Sequence, residues 1–131
     1  MTDASPRVLV VEDNEMNLEL TTVLLVRAGL LVEAARTVTE AITAAARLKP
    51  DLIVMDLQLP DGSGLDAMRA IRSDPKTAAT PIVVLTASAM PEEEQSAWAA
   101  CCDAYIAKPF DTRTFAAKLR EILSDTHRRR S

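Results

Sequence analysis

Val8-Leu9-Val10-Val11, closed by Glu12-Asp13-Asn14, decides the fold. Four consecutive apolar, mostly β-branched residues are too few for an ordinary helix and offer no polar face, so they read as a strand buried on both sides. Similar runs recur at 30–34, 52–55, 82–85 and, more weakly, 104–106. Between them the apolar residues return with helical spacing: Met16, Leu20, Val23 and Leu24; Ile42, Ala45 and Ala46; Leu65, Met68 and Ile71; Phe115, Leu119, Ile122 and Leu123 behind Asp111, a good N-cap residue. The stretch after Pro91 has little amphipathic pattern and is taken as a fourth helix in this series of five. Five strands alternating with five helices predict a doubly wound α/β domain, a parallel sheet covered on both faces.

The whole chain agrees with one such unit. Its 131 residues are one domain's worth, 48% hydrophobic and 26% charged, the composition of an ordinary globular protein. No segment approaches the ~20 apolar residues that span a bilayer. Residues 1–6 lack the basic flank and apolar run of a secretory signal, which makes the cytoplasm the expected compartment. A net charge of −4 and four aromatic residues argue against a nucleic-acid reader. The initiating Met1 and the polar ends favour a complete protein over an excised domain.

In a doubly wound sheet, ligands bind at the carboxyl ends of the strands. The residues just past those ends are Glu12 and Asp13, Asp56, Thr86, and Lys108-Pro109. Three carboxylates, a hydroxyl and an ammonium therefore converge. If the first and third strands are neighbours, about 4.8 Å apart, the carboxylates repel one another unless a cation sits among them, and an all-oxygen set suits Mg²⁺. An Asp nucleophile beside Mg²⁺, a Lys and a hydroxyl donor is a kit for making an acyl phosphate.

Val10-Val11-Glu12-Asp13-Asn14, then Val54-Met55-Asp56-Leu57-Gln58-Leu59-Pro60-Asp61-Gly62, then Leu85-Thr86-Ala87, then Ala107-Lys108-Pro109-Phe110 together resemble the receiver domain of two-component response regulators, in order and over roughly residues 6 to 124. The resemblance implies a CheY-like fold with sheet order 2-1-3-4-5 over residues 1–124, followed by a polar, basic tail at 125–131. It implies Asp56 as phosphoacceptor, Mg²⁺ held by Glu12, Asp13, Asp56 and the backbone carbonyl of Gln58, and a phosphoryl group bound by Thr86 and Lys108. It further implies a switch formed by Thr86 and Tyr105 and a cis bond before Pro109. A Gly is common before the fifth strand in this family; here Cys101 stands there, followed by Cys102.

The implied function is a phosphorylation-controlled signalling switch rather than an enzyme with its own substrate. The phosphodonor would be a histidine kinase or histidine phosphotransferase. The output would be a protein bound on the face of the fourth helix, fifth strand and fifth helix, with the chain a monomer or weak dimer and neither nucleic acid nor membrane as partner. A competing reading, an Mg²⁺-dependent phosphohydrolase with an Asp nucleophile, expects a second Asp two residues on as general acid. That position is Gln58, which cannot donate a proton in this way. Gly62-Ser63-Gly64-Leu65-Asp66-Ala67 matches the dinucleotide fingerprint in letters only, because six residues including Pro60 separate it from the preceding strand. The cysteines read as small buried hydrophobes, His127 has no partner in sequence that would make it catalytic or a phosphorelay histidine, and Arg128-Arg129-Arg130 reads as a solvated end. Trp98 and Tyr105 read either as partly buried fillers or as flanks of a partner-binding face.

Overall fold

A computed structural model describes residues 5–87, 90–108 and 111–130, with side chains to residue 124 in the last stretch. Five parallel strands form one sheet: β1 (Arg7–Val11), β2 (Leu31–Ala35), β3 (Leu52–Met55), β4 (Ile82–Thr86) and β5 (Ala104–Ala107). Their order across the sheet is β2-β1-β3-β4-β5, as the resemblance implied. The helices are α1 (Glu15–Arg27), α2 (Val38–Leu48), α3 (Gly64–Ser73), α4 (Pro91–Ala99) and α5 (Thr112–Arg130). Among the described residues no helix is long and apolar enough to cross a membrane.

Every residue of β3 and β4, and all of β1 after Arg7, is buried. Alternation sends Val8, Val10, Leu52, Val54, Val83 and Leu85 into one layer with Leu18, Leu25, Phe115, Leu119 and Leu123. Leu9, Val11, Ile53, Met55, Ile82 and Val84 enter the other with Ala41, Ala45, Met68, Ile71 and Ala97. Each fully buried large aliphatic or Phe side chain contributes about 1.5–3 kcal/mol of transfer free energy, so the two layers carry the fold's stability between them.

Two expectations need correcting: the start of the second strand, and the burial of both cysteines, of which Cys102 is buried and Cys101 exposed at the turn after α4. The second strand begins one residue later than the apolar run suggested, and as an edge strand it buries only Ala35, leaving Leu31 exposed. In α1 the helically spaced apolar residues divide: Met16, Leu20 and Val23 are 80%, 50% and 42% exposed, Leu24 packs half-buried against the core, and Leu18, Thr21 and Leu25 are buried. The helix has two stripes at the same period, and the inward one includes a threonine, which disguised it.

The caps match the sequence. The Asn14 side chain accepts from the Asn17 amide, and Asp111 Oδ1 accepts from the amides of Arg113 and Thr114. The α4 C-terminus is a Schellman motif: Cys102 N–H donates to the Ala97 carbonyl and Cys101 N–H to the Trp98 carbonyl, with Cys101 at φ 68°. Arg72 braces the connection into β5, donating to the carbonyls of Cys101, Ala78 and Thr80 and pairing with Asp103 at 3.2 Å.

Candidate functional site

The register places β1 beside β3, with Val11 opposite Met55, so Glu12 and Asp56 follow as neighbours at the carboxyl edge. The Asp56 amide donates to the Val11 carbonyl, and the Glu12 amide to the Ala35 carbonyl, fixing both backbones. One carboxylate oxygen from each of Glu12, Asp13 and Asp56 lies within 4.8 Å of the others. Lys108, arriving from the end of β5, puts Nζ 2.6 Å from Glu12 Oε1 and 3.3 Å from Asp56 Oδ2. Its amide donates to the Thr86 carbonyl, tying the ends of β4 and β5.

The carboxylates differ in environment. Glu12 and Asp56 are buried while Asp13 is exposed. Burial pushes the Glu12 pKa above the usual carboxylate value; the Lys108 hydrogen bond opposes this and the Asp56 charge adds to it. The open cavity they share, about 610 Å³, is lined by Glu12, Asp13, Asp56, Gln58, Lys108 and Ala87 together with Asn14, Glu15 and Asn17. An all-oxygen donor set with surplus negative charge and room for bound water fits a small hard divalent cation such as Mg²⁺.

A minimal antiparallel ladder, Gln58–Leu59 against Gly62–Ser63, forms one wall, and the Gln58 amide donates to Asp56 Oδ1 at 3.0 Å. Gly64 lets α3 start against the site: a Cβ there would overlap the Asp56 carbonyl oxygen. Both features escaped the sequence reading, although Pro60-Asp61-Gly62 is a turn signal that could have announced the ladder.

A family model for the response regulator receiver domain matches residues 8–120.

The chain belongs to the response regulator receiver domain family.

The polar-differentiation response regulator DivK of Brucella anthropi is 36% identical over 118 residues, covering 90% of this chain and 96% of that protein. Among solved structures, a CheY-like receiver domain protein from Methanospirillum hungatei JF-1 is 28% identical with a TM-score of 0.89, covering 96% of this chain and 99% of that one. The receiver domain of a sensor histidine kinase from Pseudomonas aeruginosa PAO1 is 33% identical with a TM-score of 0.80, covering 93% and 97%; its structure has a magnesium ion coordinated in the active site cleft. Receivers take phosphoryl groups from kinases and act on downstream targets, so this chain is a phosphorylation-controlled signalling module.

Within this receiver, Glu12, Asp13, Asp56, Gln58 and Lys108 share one cavity. Thr86 stands at the same edge, at the end of β4, but its side chain is fully buried rather than lining that cavity. Tyr105 and Trp98 lie apart, in an apolar groove of about 430 Å³ bounded by α4, β5 and α5 and also lined by Ile106, Phe115 and Lys118. Trp98 is half-exposed and donates Nε1–H to Glu94. Burial and then the charges of Glu93 and Glu94 raise the Tyr105 pKa. The expected cis bond before Pro109 lies outside the described residues.

Proposed function

We propose that Asp56 accepts the phosphoryl group, with Mg²⁺ held by Glu12, Asp13, Asp56 and the Gln58 carbonyl. The observation that carries this reading is Lys108 Nζ bridging the buried carboxylates of Glu12 and Asp56 beside the exposed Asp13. An acid at that point has an ammonium ready to neutralise phosphoryl oxygens, and open solvent opposite for an in-line donor. The bound cation supplies further charge neutralisation of those oxygens. An Asp56 carboxylate oxygen bonds to phosphorus as the P–N bond to the donor histidine breaks and its imidazole leaves on the solvent side; Lys108 steadies the phosphoryl charge, and the Thr86 hydroxyl swings toward the group once it is attached. The domain supports its own phosphotransfer and autodephosphorylation and no further chemistry. The receiver unit in this reading is residues 1–124, with 125–131 as a basic extension.

The donor is a histidine kinase or histidine phosphotransferase. The exposed stripe Met16, Leu20, Val23 supports this, because it begins between Glu15 and Asn17, which line the acidic cavity, and offers an apolar face to a partner helix. The target docks on α4, β5 and α5, where Tyr105 reports the state of Thr86 across the β4–β5 pair. The chain works as a monomer or weak dimer, in the cytoplasm where phosphohistidine is charged from ATP.

Incubation with acetyl phosphate and Mg²⁺, read by intact mass, tests the assignment. Wild type should gain one phosphoryl group and Asp56→Asn none; an adduct that persists in Asp56→Asn overturns it.

A further inference from the structure

Helix α2 begins far from the phosphorylation chemistry in sequence, yet its first turn is capped from the wall of that site. Val38 N–H donates to Asp61 Oδ1 at 2.7 Å, Thr39 N–H to Asp61 Oδ2 at 3.2 Å, and the Thr39 hydroxyl to the same oxygen at 3.3 Å. The helix has a local cap of its own besides: Thr37 Oγ1 accepts from the Glu40 amide, and Glu40 Oε1 accepts from the amide of Arg36, the residue before the N-cap. Asp61 thus satisfies the two first-turn amides that the local cap leaves over.

Asp61 sits with Pro60 in the two-residue turn of the ladder whose other end is Gln58. That ladder has only two residue pairs, too few to hold its shape alone. It is anchored at one end by Gln58 N–H on Asp56 and at the other by Asp61 on α2. Val38 Cγ2 lies 3.5 Å from the place a Cβ would take on Gly62, so turn and helix are in near contact. The Asp61 carboxylate is held below its ordinary pKa chiefly by the Val38 amide, so it remains a charged acceptor at neutral pH.

We infer that Asp61 is a positioning residue for the cation site: by clamping the turn to the α2 N-terminus it holds the Gln58 carbonyl in place to meet the ion. This rests on the proposal that the Gln58 carbonyl is a ligand. Asp61 lies beyond the carboxylates that could touch the ion and acts only through the backbone it fixes.

Titration of the full chain with Mg²⁺ by calorimetry tests it. Asp61→Ala should weaken Mg²⁺ about tenfold, the scale on which groups that orient metal ligands act. Thr37→Ala removes a cap from the same helix without touching the ladder and should leave Mg²⁺ affinity at the wild-type value. Asp61→Asn keeps one acceptor oxygen, should fall between, and serves if Asp61→Ala does not fold. Amide exchange at Gln58 and Leu59 should quicken in Asp61→Ala and not in Thr37→Ala. Wild-type affinity in Asp61→Ala, or equal loss in Thr37→Ala, overturns the inference alone. Absence of Mg²⁺ binding in the wild type overturns the cation site itself and this inference with it.

Discussion

Lys108 Nζ rests 2.6 Å from Glu12 Oε1, a contact between residues 96 positions apart, with both side chains nearly closed off from solvent. Taking away one partner of a buried pair leaves the other charge uncompensated, here with Asp56 repelling it. Lys108→Met should therefore cost about 3 kcal/mol at neutral pH without divalent cations. The loss should shrink toward acid pH as Glu12 takes up a proton, and Mg²⁺ should restore part of it. Urea denaturation at two pH values measures this; an equal loss at both would contradict it.

Glu12 also gives the wild type a pH dependence of its own. Its folded pKa is raised above the ordinary 4.5, so the folded chain holds that proton more tightly than the unfolded one. The resulting stability is fully present below the unfolded value and is lost as pH rises through the folded value. In chelator, Glu12→Gln should flatten that part of the melting-temperature profile, and an unaltered profile would refute the assignment.

Gly64 should tolerate no side chain. A Cβ would strike the Asp56 carbonyl oxygen and crowd Leu57 Cα at 3.0 Å, neither of which can move without displacing the site. Gly64→Ala should lose about 1–3 kcal/mol or more and weaken Mg²⁺ binding together with stability. Retention of both would show that α3 can back away from β3.

Cys101 occupies the left-handed position of a Schellman cap with a side chain that resists it. Cys101→Gly should stabilise the protein by about 1 kcal/mol, the order of the penalty for a non-glycine residue there. Thermal melting decides the sign, and a destabilised variant would show that the side chain has an offsetting contact.

The adjacent thiols should react very differently. Cys101 is exposed, whereas Cys102 is buried and its pKa is pushed up to about 11, chiefly by desolvation. Since the thiolate is the nucleophile, Cys102 stays inert at mildly alkaline pH. A maleimide should label one site quickly in wild type and none quickly in Cys101→Ser; rapid labelling of that variant would disprove the burial.

How much was visible beforehand follows from where the information lies. The inner strands and the cluster of Glu12, Asp13, Asp56 and Lys108 could be read because buried parallel strands are uniformly apolar and their ends share one edge. Which face of α1 meets the sheet was not legible, because a periodicity gives a helix its faces and does not say which one is covered. The roles of Arg72 and Asp61 were hidden for another reason. Each binds backbone groups of distant segments, Arg72 at Ala78, Thr80 and Cys101 and Asp61 at Val38 and Thr39, and backbone partners leave no mark in the identity of the residues that supply them.

The alternation of neighbours along β1 and β3 also governs how such a chain can change over generations. Val10 answers to the layer of Phe115 and Leu119, and Leu9 to the layer of Met68 and Ile71, although the two are adjacent in sequence. A volume change at one must be compensated within its own layer, so the two halves of the core can drift as separate lineages of substitutions. The strands that both layers share carry their placement to the carboxyl edge, where Glu12, Asp56, Thr86 and Lys108 depend on both.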